Sequence, residues 1–178
     1  IVKPYDFDVT DIYMGLQRHT DNSPMQHLPY FAVTPAMYAI LNDYTKQGGA
    51  LLISGSYLGE ESLTHAPTQA LLHNILHAES NGHITEWSEQ GICGLGTTLD
   101  IPRWINPEQY AVTHPEVLIP HTGAFTPFVY EHSHHSAAVA YSGAYRSIIL
   151  GFPFEAIRSQ SDRNLVMVSL LEFLTTKE

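Results

Sequence analysis

Two short segments carry residues whose types and spacing suit chemistry. The first is Ser54-Gly55-Ser56-Tyr57-Leu58-Gly59-Glu60-Glu61. Its two glycines, with three residues between them, have the frame of a nucleophile elbow, where small residues permit a strained strand-to-helix turn that presents the central side chain. That central residue is Tyr57, a poor nucleophile because a phenol ionises only near pH ~10. Ser54 and Ser56 lie off-centre. The second segment is Gly151-Phe152-Pro153-Phe154-Glu155, whose carboxylate either orients a base or caps the following turn. Glu60, Glu61 and Glu155 are also candidates for paired acid and base, the arrangement in which burial splits carboxyl pKa values. Tyr57, Glu60 and Glu155 are therefore the candidate catalytic residues, and Gly55, Ser56 and Gly59 the candidate ligand-binding turn.

Eleven histidines are an unusual number for 178 residues. His73 and His77 stand at i, i+4 on an expected helix, the spacing that puts two imidazoles on one face. That face lies opposite Leu71, Leu72, Ile75 and Leu76, and Asn74 stands where a zinc-protease motif carries Glu. His132 and His134 share one side of an expected extended segment, with His135 on the other and Glu131 adjacent. His114 and His121 fall in Pro-bearing loops. Zinc needs three or four convergent ligands, so these groups are assigned to polar surface, with no metal and no cofactor expected.

The elements that must position these residues can be read from periodicity. A helix is expected from Pro35 to Gln47, capped by Thr34 and ended by Gly48-Gly49, with Met37, Ile40, Leu41 and Tyr44 on its apolar stripe. Ala50-Leu51-Leu52-Ile53-Ser54 reads as a strand buried on both faces. A second helix is expected from Pro67 to Ala78. Ile84-Thr85-Glu86-Trp87 and Thr97-Thr98-Leu99-Asp100-Ile101 alternate like half-exposed strands within a β-rich stretch near 81–135. Runs 137–141 and 145–150 flank Ser142-Gly143-Ala144 as a hairpin or two adjacent strands. A well-buried helix, capped by Ser161 or Asp162, closes the chain from Asp162 to Thr175. Tyr5 to Val9 would be a strand or the approach to one. The alternation of helix and strand predicts an α/β sandwich with a mostly parallel sheet, whose sites gather beyond the carboxyl ends of the strands.

Composition excludes several function classes. Eight Lys+Arg against 18 Asp+Glu give a net charge of −10, with no basic stripe to neutralise phosphates, so nucleic acid is not an expected partner. No apolar run reaches the ~18–20 residues of a membrane-spanning helix. One Cys excludes an internal disulfide framework and a cysteine-rich zinc site. A hydrophobic fraction of 44% with 15% charged residues predicts one packed domain over 1–178. Because the chain begins at Ile1 rather than Met, it is expected to be a fragment of a longer chain.

The order helix, Gly48-Gly49, strand, Gly55-Ser56-Tyr57-Leu58-Gly59, β-rich stretch, then Gly151-Phe152-Pro153-Phe154-Glu155-Ala156-Ile157 before a last helix resembles the class I glutamine amidotransferase-like superfamily. Within it, the chain is similar to the domain of secreted bacterial proteins labelled putative xanthan lyase or golvesin-associated. The resemblance implies a flavodoxin-like three-layer sandwich. It also implies that an elbow Cys and a Phe-His-Pro-Glu segment should carry the chemistry. Here the Cys position is Tyr57, the His position is Pro153, and only the Glu position is retained, as Glu155. Gly91-Ile92-Cys93-Gly94 echoes an elbow, but residues 86–90 are too polar for its launching strand and Leu95 occupies its second Gly position. The resemblance thus points to a noncatalytic domain that binds or scaffolds within an exported protein. Glycans or neighbouring domains are the expected partners, met through loops such as Phe125-Thr126-Pro127-Phe128-Val129-Tyr130, unless these plug the core. The alternative is a polysaccharide-acting, xanthan lyase-like enzyme using the acids at the strand ends.

Overall fold

A computed structural model describes residues 6–16, 31–84, 91–101, 112 and 114–176. The central element is β2 (Ala50–Ser56), buried along its whole length. It lies between β1 (Val9–Leu16) and β10 (Arg146–Leu150), and both pair with it in parallel. β9 (Ala138–Ser142) runs antiparallel to β10, and the two-residue β7 (Ala124–Phe125) pairs antiparallel with β9, giving the order β1-β2-β10-β9-β7. The result is a mixed α/β sheet, parallel in two pairings and antiparallel in two. The departure from a mostly parallel sheet comes from the tight β9–β10 hairpin, because a short turn can join only antiparallel neighbours.

Alternation along β2 sends Leu51 and Ile53 to one face and Ala50 and Leu52 to the other. The first face is covered by α1 (Pro35–Lys46) and α3 (Ala66–Asn74), through Leu41, Leu71 and Leu72. The second is covered by α4 (Gln160–Thr175), through Val166, Leu170 and Leu174. Thr34 caps α1 as expected, its Oγ1 accepting from Met37 N at 3.1 Å. Gly49 has no room for a side chain because a Cβ there would meet the Tyr44 ring at 2.2 Å. That close approach lets Tyr44 Oη donate to Ala50 O at the entry to β2.

Between α3 and β9, besides β7, the described residues form two small sheets. β3 (Ala78–His83) pairs antiparallel with β6 (Glu116–Pro120). β4 (Gly91–Gly94) pairs with both β5 (Thr97–Asp100) and β8 (Phe128–Tyr130). Phe128 and Tyr130 are fully buried beside Ile92 and Leu99, so this part of the aromatic loop plugs the core, while Phe125 stays exposed.

Several boundaries differ from the sequence reading. α3 stops at Asn74, because His77 turns through a positive φ of 50° and Ala78 already belongs to β3. Ile40 is exposed, and Thr45 rather than Ile40 completes the buried face of α1. α4 begins earlier, at Gln160, with Ser159 as its cap. Its apolar residues do not all reach the core: Leu165, Val168 and Leu171 face outward. The expected strand at 84–87 lies, beyond Ile84, outside the described residues. Among the described residues no helix is long and apolar enough to cross a membrane.

The one-sided burial of α4 has a measurable consequence. Leu170→Ala should lower the unfolding free energy by about 2–5 kcal/mol, the usual cost of emptying a core leucine. Val168→Ala should change it by less than about 0.5 kcal/mol. Equilibrium denaturation of both variants checks this, and equal losses would place both faces in the core.

Candidate functional site

The chain does form an elbow. β2 ends at Ser56, Tyr57 adopts φ 71° and ψ 0°, and α2 (Leu58–Ser62) starts at once. For a bulky residue this left-handed conformation is costly, and it persists only where the surroundings fix it. Tyr57 is 8% exposed and stacks on His114 at 4.0 Å between ring centroids, the ring planes nearly parallel at 14°. His114 in turn lies 3.6 Å from the ring of His83. The residue at the centre of the elbow is thus packed in a column of three rings rather than presented to solvent. Gly55 and Ser56 are buried within β2, so no open turn presents them to a ligand.

Glu60 reaches the same column, its carboxylate 3.2 Å from His114 Nε2. Glu61 does something else. Its oxygens accept from Ala32 N at 2.9 Å and Val33 N at 3.4 Å, and Thr68 Oγ1 donates to the same group. These bonds tie α2 to α3 and to the approach to α1, so Glu61 is a structural acceptor.

Beneath the elbow lies a carboxylate that sequence reading did not single out. Glu116, first residue of β6, is 1% exposed. Its Oε1 accepts from Glu60 N at 3.1 Å, and Gly59 N also donates to the carboxylate. Gly59 is required for this approach, since a Cβ there would come within 2.9 Å of Oε1 and 2.6 Å of Ser80 Oγ. Among the described residues Glu116 Oε2 has no hydrogen-bond partner. Burial pushes the Glu116 carboxyl up to about 7; the amides of Gly59 and Glu60 oppose that rise, and the charges of Glu60 and Glu61 add to it.

Glu155 sits in a single 3₁₀ turn, Phe154–Ala156, beyond β10. Its charge acts on Asp11 and Tyr13 of β1. Asp11 is held above the ordinary carboxylate range by burial first; its hydrogen bond with Tyr13 opposes this and the charge of Glu155 adds to it. The structure thus brings Tyr57 and Glu60 together on His114 and places Glu155 beside Asp11 and Tyr13. A cavity of 230 Å³ lies elsewhere, at Ala50 and Arg146, the opening residues of β2 and β10 and hence the far end of the sheet.

The remaining candidates resolve plainly. Cys93 lies within β4, its register partners being Thr98 and Val129, so it occupies no elbow. The segment holding His132 and His134 is a turn and not an extended strand, because His134 N donates to Tyr130 O and Tyr130 N to His135 O. His73 and His77 part company: His77 stacks on Tyr141 at 3.6 Å and shares a 3.0 Å hydrogen bond with Tyr145 Oη.

Sequence patterning had one unused signal for the β1 residues: Asp11 and Tyr13 alternate with Ile12 and Met14. For Glu116 there was none, since an acid beside Val117-Leu118-Ile119 looks like a strand end.

No protein-family model matches this chain, and no curated protein matches it. Solved structures do. An exo-β-1,4-mannosidase, Op5Man5 from Opitutaceae bacterium strain TAV5, superposes with a TM-score of 0.59 at 12% identity, over 100% of this chain and 27% of that one. The N-terminal domain of mmIFT52 gives a TM-score of 0.53 at 15% identity, over 82% of this chain and 73% of that one. What they share is the α/β fold. At such identities the likeness carries no chemistry. The chain spans about a quarter of the mannosidase's length.

The raised carboxyl of Glu116 predicts a pH effect of definite sign. Its native pKa of about 7 exceeds the ordinary 4.5, so between these values the native state binds more protons than the unfolded one. The stability from this proton is fully present below about 4.5 and is lost as pH rises through about 7. Unfolding free energies of the wild type and Glu116→Gln, measured from about pH 5 to about pH 8, should therefore diverge in the variant's favour as pH rises. A constant difference would mean that Glu116 is ionised throughout.

Proposed function

We propose that this chain is a class I glutamine amidotransferase-like domain, flavodoxin-like in its layering, that binds or scaffolds within an exported protein instead of hydrolysing glutamine. The observation that carries this reading is Tyr57: it holds the elbow's left-handed position, yet its ring is packed against His114. Acyl transfer at an elbow needs a nucleophile, an adjacent base and an orienting group. Here the nucleophile position holds a buried phenol, and Pro153 stands where the base would be. Glycans or neighbouring domains are its proposed partners, as the resemblance to the putative xanthan lyase or golvesin-associated domains implies.

A second reading, a polysaccharide-acting enzyme, has one observation in its favour. Asp11, Tyr13 and Glu155 put two acids and a phenol in electrostatic contact, a grouping able to pass a proton to or from a sugar hydroxyl.

Three measurements test these readings. Glutamine hydrolysis by the purified chain should not exceed background, and Tyr57→Ala should cost about 3 kcal/mol of unfolding free energy, as for other buried rings. An exposed catalytic phenol would instead lose turnover with stability nearly unchanged. Release of reducing or unsaturated ends from mannan or an acidic polysaccharide, abolished by Glu155→Gln, would favour the second reading.

A further inference from the structure

His73, Glu79 and His121 come from three separate elements and meet at one place. His73 is in the last turn of α3, Glu79 is the second residue of β3, and His121 directly follows β6. The β3–β6 ladder fixes the latter two: Ala78 pairs with Pro120, Glu79 with Ile119, and His121 N donates to His77 O at 2.8 Å. The early end of α3 at Asn74 and the left-handed turn at His77 then bring the helix's last turn over the strand pair.

One ligand-type atom from each of the three side chains lies within 4.8 Å of the others. His121 Nε2 and Glu79 Oε2 are 3.5 Å apart, and the rings of His73 and His121 are 5.1 Å apart at 61°. Zinc with bonds of about 2.0–2.1 Å places adjacent tetrahedral ligands about 3.3 Å apart. The His–Glu separation of 3.5 Å is close to that figure, and both separations to His73 lie within 4.8 Å. All three residues are of intermediate exposure, so the cluster stays open to solvent on one side. His77, the other member of the i, i+4 pair, is kept away by its stacking on Tyr141 and its hydrogen bond to Tyr145.

The geometry points to a zinc-class divalent metal site formed by His73, Glu79 and His121, with a fourth position left for water or a ligand's donor atom. Two neutral imidazoles and a carboxylate select borderline transition ions over calcium or magnesium, which prefer oxygen ligands. Three protein ligands with one open position are the arrangement of zinc sites that bind exchangeable ligands, whereas structural sites are closed by four. The site is independent of the elbow and of the proposal made for it.

The test uses the whole chain, stripped with a chelator and titrated with Zn²⁺ by calorimetry and with Co²⁺ by visible absorption. The wild type should bind one equivalent tightly and give the visible bands of a low-symmetry Co²⁺ site. His73→Ala and His121→Ala should each abolish that equivalent, and Glu79→Gln should weaken it by about tenfold or more. His132→Ala, in the exposed turn, should leave it intact. Circular dichroism confirms that each variant is folded. Should a variant fail to fold, protection of His73 and His121 from diethylpyrocarbonate by Zn²⁺ in the wild type gives an independent readout. The proposal is overturned if the wild type binds no tight equivalent, or if the equivalent survives His73→Ala with His121→Ala.

Discussion

Glu116 is the residue at which the parts of this molecule are joined. Its backbone N donates to Gly151 O at the end of β10, and its backbone O accepts from Tyr130 Oη in the small sheet. Its side chain accepts from Gly59 and Glu60 at the start of α2. One residue therefore fastens the end of the main sheet, the elbow and the β-rich stretch to one another. A buried carboxylate is expensive, and here the cost is met by placing it on amides at the beginning of a helix and by holding its proton to higher pH. Together with the stacking of Tyr57 on His114, that anchor holds the left-handed turn.

The same arrangement explains why an elbow shape persists without elbow chemistry. Gly59 leaves room for the Glu116 carboxylate beneath the turn, and that carboxylate accepts from the turn's amides. The turn makes no demand on the chemistry of the central side chain, provided that side chain can pack. The imidazole column of His114 and His83 gives Tyr57 a place to pack, so what would be a presented nucleophile becomes part of the core.

Much of this was legible in the sequence, and the reasons for the rest are physical. The helix Pro35–Lys46, strand Ala50–Ser56 and hairpin 138–150 follow from caps, continuous apolar runs and a Gly-bearing turn, which are local signals. The elbow frame was legible for the same reason. The His114 column was not, because a stack of three rings from separate elements has no spacing in sequence. His73, Glu79 and His121 were missed likewise: periodicity paired His73 with His77, and only the left-handed turn after α3 breaks that pairing. The outward apolar residues of α4 show the converse limit, in which apolar content overstates burial.

The central claim is that the elbow position is a packed joint and not a nucleophile. It is tested most directly by exposing the chain to an electrophilic glutamine analogue and mapping adducts by mass spectrometry. No adduct on Tyr57 is predicted, because the phenol is enclosed and stacked on His114. A stoichiometric adduct on Tyr57 would contradict the account.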